Sequence, residues 1–350
     1  MKRATASARD SAAQSAAERV LADGANAVDA VLAGMLAGAT RATRAALLGS
    51  GVVFVGGTGM GAFAVDGRAR APGLRARRPT APSEPPSAWR AAVPGLLEGV
   101  LAAHHRFGSA SWGSLVRSAV IAIRDHDDDA GALGRASVVE ALAGTGMHAL
   151  ERLGIVQDTL EIAGVAAGGL FTRDDLAPFA PRVIELTDYA LGDQRIRAWP
   201  DEPRPSYRPA DPPAAEIDGI MCADMLGGMS VGVWLVAPEA VALPGPSGLS
   251  IAALCAPPTR DVPRWRPGSE IPMQMPAAFV ERDGRVWAAL LVAGTGDAAG
   301  VRDAVLRARM QVAPAGPPGR LKPFRGLVSW LVRDADGPEV RVVSEAVNGE

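Results

Sequence analysis

The sequence predicts a layered α+β domain, and the order of its elements is the main reason. Apolar residues with helical spacing fill most of the first 213 of the 350 residues, whereas the remainder is rich in short β-prone runs. A β-hairpin interrupts the helices near the start. This order favours helices packed on antiparallel sheets around a shared core. Because 48% of the residues are hydrophobic, the chain has enough apolar surface to bury such a core.

The first elements are two helices followed by the hairpin. "SAAQSAAERVLADG" (residues 11–24) ends on a glycine that suits the left-handed position after a helix. "NAVDAVLAGMLAGA" begins at Asn26, a good N-cap. The β-rich runs 46–57 and 61–72 are joined by glycines, which predicts a hairpin.

The middle of the chain is again helical. A loop rich in Pro, Arg and Ser (residues 72–87) leads to a helix with Pro94 in its first turn, and further helices are predicted up to residue 164. "FTRDDLAPF" predicts a short helix in which Thr172 and Asp175 form a pattern like a capping box. Strand-like runs 182–189 and 194–199 precede a proline-rich connector that no helix or central strand can contain.

Beyond the connector the prediction is mainly β. Residues 217–224 and 229–236 flank a turn at Gly227-Gly228, so we expect two adjacent, antiparallel central strands. Runs 277–281, 286–292, 326–334 and 339–346 are also strand-like, and one helix is predicted at 298–310.

Composition excludes several classes of function. A formal net charge of −2 gives no indication of a nucleic-acid partner or an anionic membrane. We find no export signal and no apolar stretch long enough to span a bilayer, so a cytoplasmic protein is expected. The two cysteines have no metal-site spacing, and the acidic run 125–129 lacks the Gly and Glu of a calcium loop. No metal or cofactor is therefore expected.

Several of these blocks resemble the γ-glutamyltransferase family in sequence and in order. They are "LADGANAVDAVLAG", "VDGRARAP", "AVPGLLEGVLAAHHRFG", "GGLFTRDDLAPF" and "RPGSEIPMQMPAAFV" with the following "AVL". The resemblance runs over roughly residues 11 to 310. It implies the N-terminal-nucleophile hydrolase fold, an αββα four-layer sandwich. Residues 1–213 resemble a shortened large-subunit part and 214–350 the small-subunit part, together forming one compact domain.

The resemblance also implies self-cleavage before a threonine that then acts as nucleophile. With Asp224 and Gly227 as anchors, Ile217 stands at that position and Asp218 at the next. A hydrocarbon side chain offers no nucleophile. Asp297 and Ala298 take the place of the two glycines of the family's oxyanion hole, where a carboxylate repels developing negative charge.

Other positions of the expected site differ from the family as well. Pro272 and Met273 replace the pair of serines that helps to hold the substrate. Arg68 matches the family arginine that pairs with the substrate carboxylate, and Arg70 takes this role if the alignment slips by two residues. Cys222 is the best displaced nucleophile, although a buried structural thiol is the usual state of a mid-strand cysteine.

Three functions are compatible with these residues. The first is a non-catalytic, single-chain relative that binds a small molecule or peptide with a carboxylate, or a partner protein. Its expected binding residues are Arg68, Asp218, Pro272, Met273, Asp297 and Ala298. The second is an enzyme with diverted chemistry, using Asp218, Glu216 or Asp297 as acid or base. The third is an active amide hydrolase or acyltransferase with a displaced nucleophile. The sequence leaves the oligomeric state open.

Overall fold

Layers of helix and sheet build the molecule. The computed structural model describes residues 4–41, 47–57, 59, 61–76, 87–126, 130–191, 194–200, 215–244, 247–255, 265–273, 275–296, 324–333 and 339–347. The α-helices within these ranges are α1 (Ser11–Ala22), α2 (Ala27–Arg41), α3 (Leu96–Phe107), α4 (Trp112–His126), α5 (Ala130–Thr145), α6 (His148–Arg152) and α7 (Ile155–Ala163). Short 3₁₀ helices span Ser87–Arg90, Val165–Ala167 and Arg173–Leu176.

The strands pair mostly antiparallel. They are β1 (Thr5–Ala8), β2 (Gly51–Gly57), β3 (Gly61–Gly67), β4 (Arg182–Glu185), β5 (Thr187–Leu191), β6 (Gln194–Ala198), β7 (Glu216–Ala223), β8 (Met229–Val236), β9 (Ala240–Ala242), β10 (Ser250–Ala252), β11 (Ala277–Arg282), β12 (Arg285–Gly296), β13 (Phe324–Arg333) and β14 (Val340–Val347). Strands β9 and β10 form a separate pair.

The remaining strands make two half-sheets. One has the order β4-β3-β2-β8-β7, with β1 on the free edge of β7. The other has the order β14-β13-β12-β11-β6-β5. Between β7 and β12 the described pairing is the single contact of Ile217 with Gly294. An apolar core containing Met221, Phe279 and Trp330 draws on strands of both halves, so the halves face each other as two layers.

A second apolar core lies between the first half-sheet and the helices. Residues 27–40 of α2 are all buried, as expected of a helix that is apolar on every side. Gly38 lets α2 approach the sheet closely, because a Cβ there would lie 2.6 Å from the ring of Trp234. The order helix, sheet, sheet agrees with the predicted αββα sandwich.

Most predicted elements are confirmed. Asp10 caps α1, with its Oδ1 accepting the Ala13 N–H at 2.8 Å, and Asn26 caps α2. The hairpin is β2–β3, and β7 and β8 pair antiparallel as expected. The short helix at Arg173–Leu176 is 3₁₀ rather than α, and its capping box is present. The connector and the helix at 298–310 lie outside the described residues.

The structure adds three short strands that the sequence did not predict, namely β9, β10 and β1. Residues 5–8 form β1, whose backbone pairs with residues 220–223 of β7. Among the described residues, no helix is long and apolar enough to cross a membrane.

Candidate active site

The turn between β7 and β8 is organised by Asp224. Its Oδ1 accepts the N–H groups of Leu226 and Gly228, at 2.9 and 2.8 Å. Its Oδ2 accepts the N–H of Ala27 at 2.9 Å, in the first turn of α2. A carboxylate at this position satisfies a helix donor and complements the positive end of the helix dipole. Asp224 therefore attaches the turn to the helical layer.

The two faces of β7 have different surroundings. Ile217, Met221 and Ala223 belong to the core between the sheets, whereas Ile220 and Cys222 belong to the core beneath the helices. This division follows the alternation of side chains along a strand. Ile217 is only 2% exposed and pairs with Leu235 of β8. The position expected for the nucleophile is thus a packed hydrocarbon.

Asp218 lies on the opposite face of β7 from Ile217. Its carboxylate is 3.8 Å from the Arg9 guanidinium, and Arg9 also pairs with Glu216. Burial raises the pKa of Asp218 to about 6, although Arg9 and the N–H of Gly219 act in the opposite direction. The sequence grouped Asp218 with Ile217 in one cleft, but the structure places Asp218 and Glu216 beside the chain segment that follows β1.

Neither cysteine has the environment of a reactive thiolate. Burial raises the pKa of Cys222 well above its usual value, and Glu18 and Asp224 add to the effect. Burial alone raises the pKa of Cys255 to about 12. Both thiols are buried and free. Reactive cysteines require a lowered pKa and access to solvent, so both are structural.

Arg68 follows β3 and is enclosed by protein. Its Nε and Nη2 each donate at 2.9 Å to the carboxylate of Asp66, and its guanidinium lies 5.0 Å from the centre of the Trp199 ring. Burial opposes ionisation of Asp66, but hydrogen bonds from Arg68 and Arg182 outweigh it and lower the pKa of that carboxyl. Arg68 and Asp66 are each 2% exposed in their side chains. The guanidinium of Arg68, which was expected to bind a ligand, is therefore already paired with the internal carboxylate of Asp66.

Arg70 has a different setting. Its guanidinium lies 3.6 Å from the centre of the Phe179 ring, and its Nε has no hydrogen-bond partner among the described residues. Burial lowers the pKa of Arg70, opposed by Glu98, Asp175 and Glu270. The backbone of Arg70 forms isolated antiparallel bridges to Val93 and Glu270.

Ser50 connects several of the predicted binding positions. Its hydroxyl contacts the Met273 sulfur at 3.6 Å and accepts the N–H of Ala69 at 3.1 Å. Its carbonyl accepts the N–H of Leu235, the residue paired with Ile217. Ser50 thus links Met273 and the backbone next to Arg68 to Leu235, the β8 residue that pairs with Ile217.

The remaining expected residues are Pro272, Asp297 and Ala298. Pro272 is exposed, while Asp297 and Ala298 lie outside the described residues. In the parts of the chain that the structure describes, no group of three or more His, Cys, Asp or Glu side chains is arranged to hold a metal ion.

Comparisons with known proteins agree with this architecture. The family model described as Gamma-glutamyltranspeptidase matches residues 13–125. Over 99% of its length the chain is similar to cephalosporin acylase from Bacillus halodurans (TM-score 0.69, 11% identity, 96% of that chain). It is also similar to LmbA2991T421A (TM-score 0.66, 12% identity, 98% of this chain and 96% of that chain). Over residues 13–125 the chain is γ-glutamyltranspeptidase-like. No curated protein sequence matches it significantly.

Two features of this chain were not predicted from the sequence. The first is the ionic group of Arg9 with Glu216 and Asp218, because β1 was not predicted and nothing local placed Arg9 beside β7. The second is Glu98, a carboxylate among apolar residues in the first turn of α3. The feature in the sequence that could have indicated this site is the position of Glu98 between Leu97 and Gly99, both of which are buried.

Proposed function

We propose that this γ-glutamyltranspeptidase-like chain neither cleaves itself nor transfers γ-glutamyl groups. The observation that carries the proposal is the inter-sheet face of β7. There Ile217, Gly219, Met221 and Ala223 offer neither a hydroxyl nor a thiol. Nucleophilic catalysis requires such a group together with a base that activates it.

The retained role that we propose is binding, with a small molecule, a peptide or a partner protein as the ligand. The protein keeps a well-packed fold, in which Arg68 is paired with Asp66 and Asp224 accepts the N–H of Ala27. Such a fold supports a role in binding. Because Arg68 already pairs with Asp66, we assign Arg68 to the architecture of the site rather than to ligand capture.

Diverted acid–base chemistry has less support. Glu216 and Asp218 share Arg9 on the face of β7 opposite to Ile217, which matches a partly exposed group of ion pairs better than a proton-transfer pair. The Arg9 and Glu216 side chains are 43% and 33% exposed, and ion pairs with this much exposure contribute little to stability.

Intact-mass spectrometry combined with a chromogenic assay tests the proposal. We expect one uncut chain of 36.0 kDa and no release of product from a γ-glutamyl anilide. A pair of fragments with a new N-terminus between residues 213 and 222, or turnover of the anilide, would contradict it. Titration with candidate ligands, followed by tryptophan fluorescence, then tests the binding role.

A further inference from the structure

A cavity of about 190 Å³ lies among α3, α6, α7 and the 3₁₀ helix Arg173–Leu176. Its walls are mainly apolar and include Leu97, Leu150 and Ile155. These three residues belong to the core beneath the helices, whereas Ile217 belongs to the core between the sheets. The cavity is therefore distinct from the site that the family resemblance indicates.

One carboxylate in this apolar wall has an unused hydrogen-bonding atom. Glu98 Oε2 is shielded from solvent and has no hydrogen-bond partner among the described residues. Burial raises the pKa of Glu98 to about 7, while a bond from its own N–H and the charge of Arg70 oppose the shift. An acceptor without a partner in such surroundings costs free energy, and a donor group of a ligand would recover that cost.

The two fully buried polar side chains of the cavity wall, Asp175 and Thr159, are already engaged. Asp175 accepts the N–H groups of Gly73, Leu74 and Thr172, and also the Thr172 hydroxyl. The hydroxyl of Thr159 donates to the Ile155 carbonyl at 2.8 Å. Among the lining side chains that the structure describes, half-buried Glu98 thus has a shielded acceptor, Oε2, left for a ligand.

Charge around the cavity favours a cation over an anion. The acidic lining residues are Glu98, Glu151 and Asp175, and the basic ones are Arg173 and His148. Arg70 does not belong to the lining, and its guanidinium lies against the ring of Phe179. Acidic walls of low dielectric concentrate cations and repel anions.

We propose that this cavity binds a small apolar amine, whose ammonium group donates a hydrogen bond to Glu98 Oε2. The volume suits one aromatic or alicyclic ring with a short amine arm, because a dry cavity of about 150 Å³ is enough to hold benzene. The apolar body of the amine fills the space beside Leu97, Leu150 and Ile155. This inference does not depend on the fate of catalysis at Ile217.

Isothermal titration calorimetry with benzylamine tests the proposal, with benzyl alcohol and benzoate as neutral and anionic counterparts. We expect benzylamine to bind the purified full chain at least tenfold more tightly than either counterpart. Glu98→Gln is expected to weaken benzylamine about tenfold or more while leaving benzyl alcohol unchanged, since the lost contact is a charge-assisted hydrogen bond. Glu151→Gln, an exposed change at the same cavity, serves as the matched control and should have a much smaller effect.

A second variant tests the same cavity in case Glu98→Gln fails to fold. Val156→Trp fills the cavity from the half-buried face of α7 and should abolish binding of benzylamine and benzyl alcohol together, with an unchanged circular dichroism spectrum. The proposal is overturned if no probe binds, if benzoate binds best, or if benzylamine binds wild type and Glu98→Gln equally.

Discussion

At the scale of single residues, the β7 face that carries Ile217 determines what chemistry is possible. Ile217 is buried, and its neighbours on that face are Gly219 and Met221. A hydroxyl introduced there would enter an apolar core rather than a prepared catalytic site. At the two positions that the family resemblance assigns to the substrate serines, Pro272 is exposed and Met273 contacts Ser50.

Ile217→Thr is therefore expected to restore neither self-cleavage nor transfer. We expect a loss of about 1–3 kcal/mol of unfolding free energy, because the change removes apolar contacts and buries a hydroxyl. Mass spectrometry and chemical denaturation measure the two outcomes. Ile220→Thr, on the opposite face of the same strand, is the matched control for stability. A fragment beginning at position 217 would refute the expectation.

Arg68 illustrates how a residue's pairing decides its role. Both Arg68 and Asp66 are almost completely shielded from solvent, so each depends on the other for compensation of its charge. Arg182 reaches the same carboxylate from β4 at 2.9 Å, but its side chain is 54% exposed.

We expect Arg68→Ala to lower the unfolding free energy by about 3–5 kcal/mol, since it leaves Asp66 buried without its main partner. Arg182→Ala should cost about 1 kcal/mol or less, as is usual for exposed ion pairs. Urea denaturation of both variants provides the measurement. Equal losses in the two variants would show that the buried pair is not the dominant contact.

At the scale of elements, the β7–β8 turn and the start of α2 form one unit. Gly227 has φ +100°, a backbone conformation that glycine adopts without strain. Asp224 joins the turn to α2 through Ala27, across 197 positions of sequence. Register between β7 and β8 and the placement of α2 therefore depend on the same carboxylate.

Asp224→Ala should destabilise the protein by about 2–4 kcal/mol, because three backbone donors lose their acceptor. Hydrogen exchange of the Ala27 amide should accelerate more than exchange in the middle of α2. Met225→Ala, in the same turn but exposed, is expected to change stability by no more than about 0.5 kcal/mol. Comparable effects of the two substitutions would argue against the linking role.

At the scale of the whole molecule, buried carboxyls make folding sensitive to pH. The pKa of Asp218 is raised to about 6 and that of Glu98 to about 7. In the unfolded chain such groups ionise near pH 4. Between about pH 4 and 7 the unfolded state thus binds fewer protons than the native state, and the unfolding free energy falls as pH rises.

Asp218→Asn is expected to remove part of this pH dependence. Between pH 4 and 7 the wild type should lose about 1–3 kcal/mol more unfolding free energy than the variant, since one pKa unit corresponds to about 1.4 kcal/mol. Denaturation curves at several pH values measure the difference. Asp174→Asn, at an exposed aspartate, should leave the wild-type profile unchanged, and parallel profiles for wild type and Asp218→Asn would contradict the expectation.

Much of the fold was predictable because its signals are local. Asn26 begins α2, and the capping box of Thr172 and Asp175 appears in the structure as expected. The β7–β8 pair followed from alternation around Gly227-Gly228. Strand β1 was not predictable, because four residues without alternation become a strand only when the edge of β7 is available.

The sequence by itself determined the order of elements, the family resemblance and the absence of a nucleophile at Ile217, since each depends on residue identity or on short-range spacing. The tertiary structure alone decided that Arg68 forms an ion pair with Asp66, that Asp218 lies beside Arg9, and that Glu98 lines a cavity. These outcomes depend on which face of an element a side chain occupies and on which distant group shares its shielded environment. Burial and charge pairing are properties of the packed chain, and they set the role of an ionisable side chain more strongly than its neighbours in sequence do.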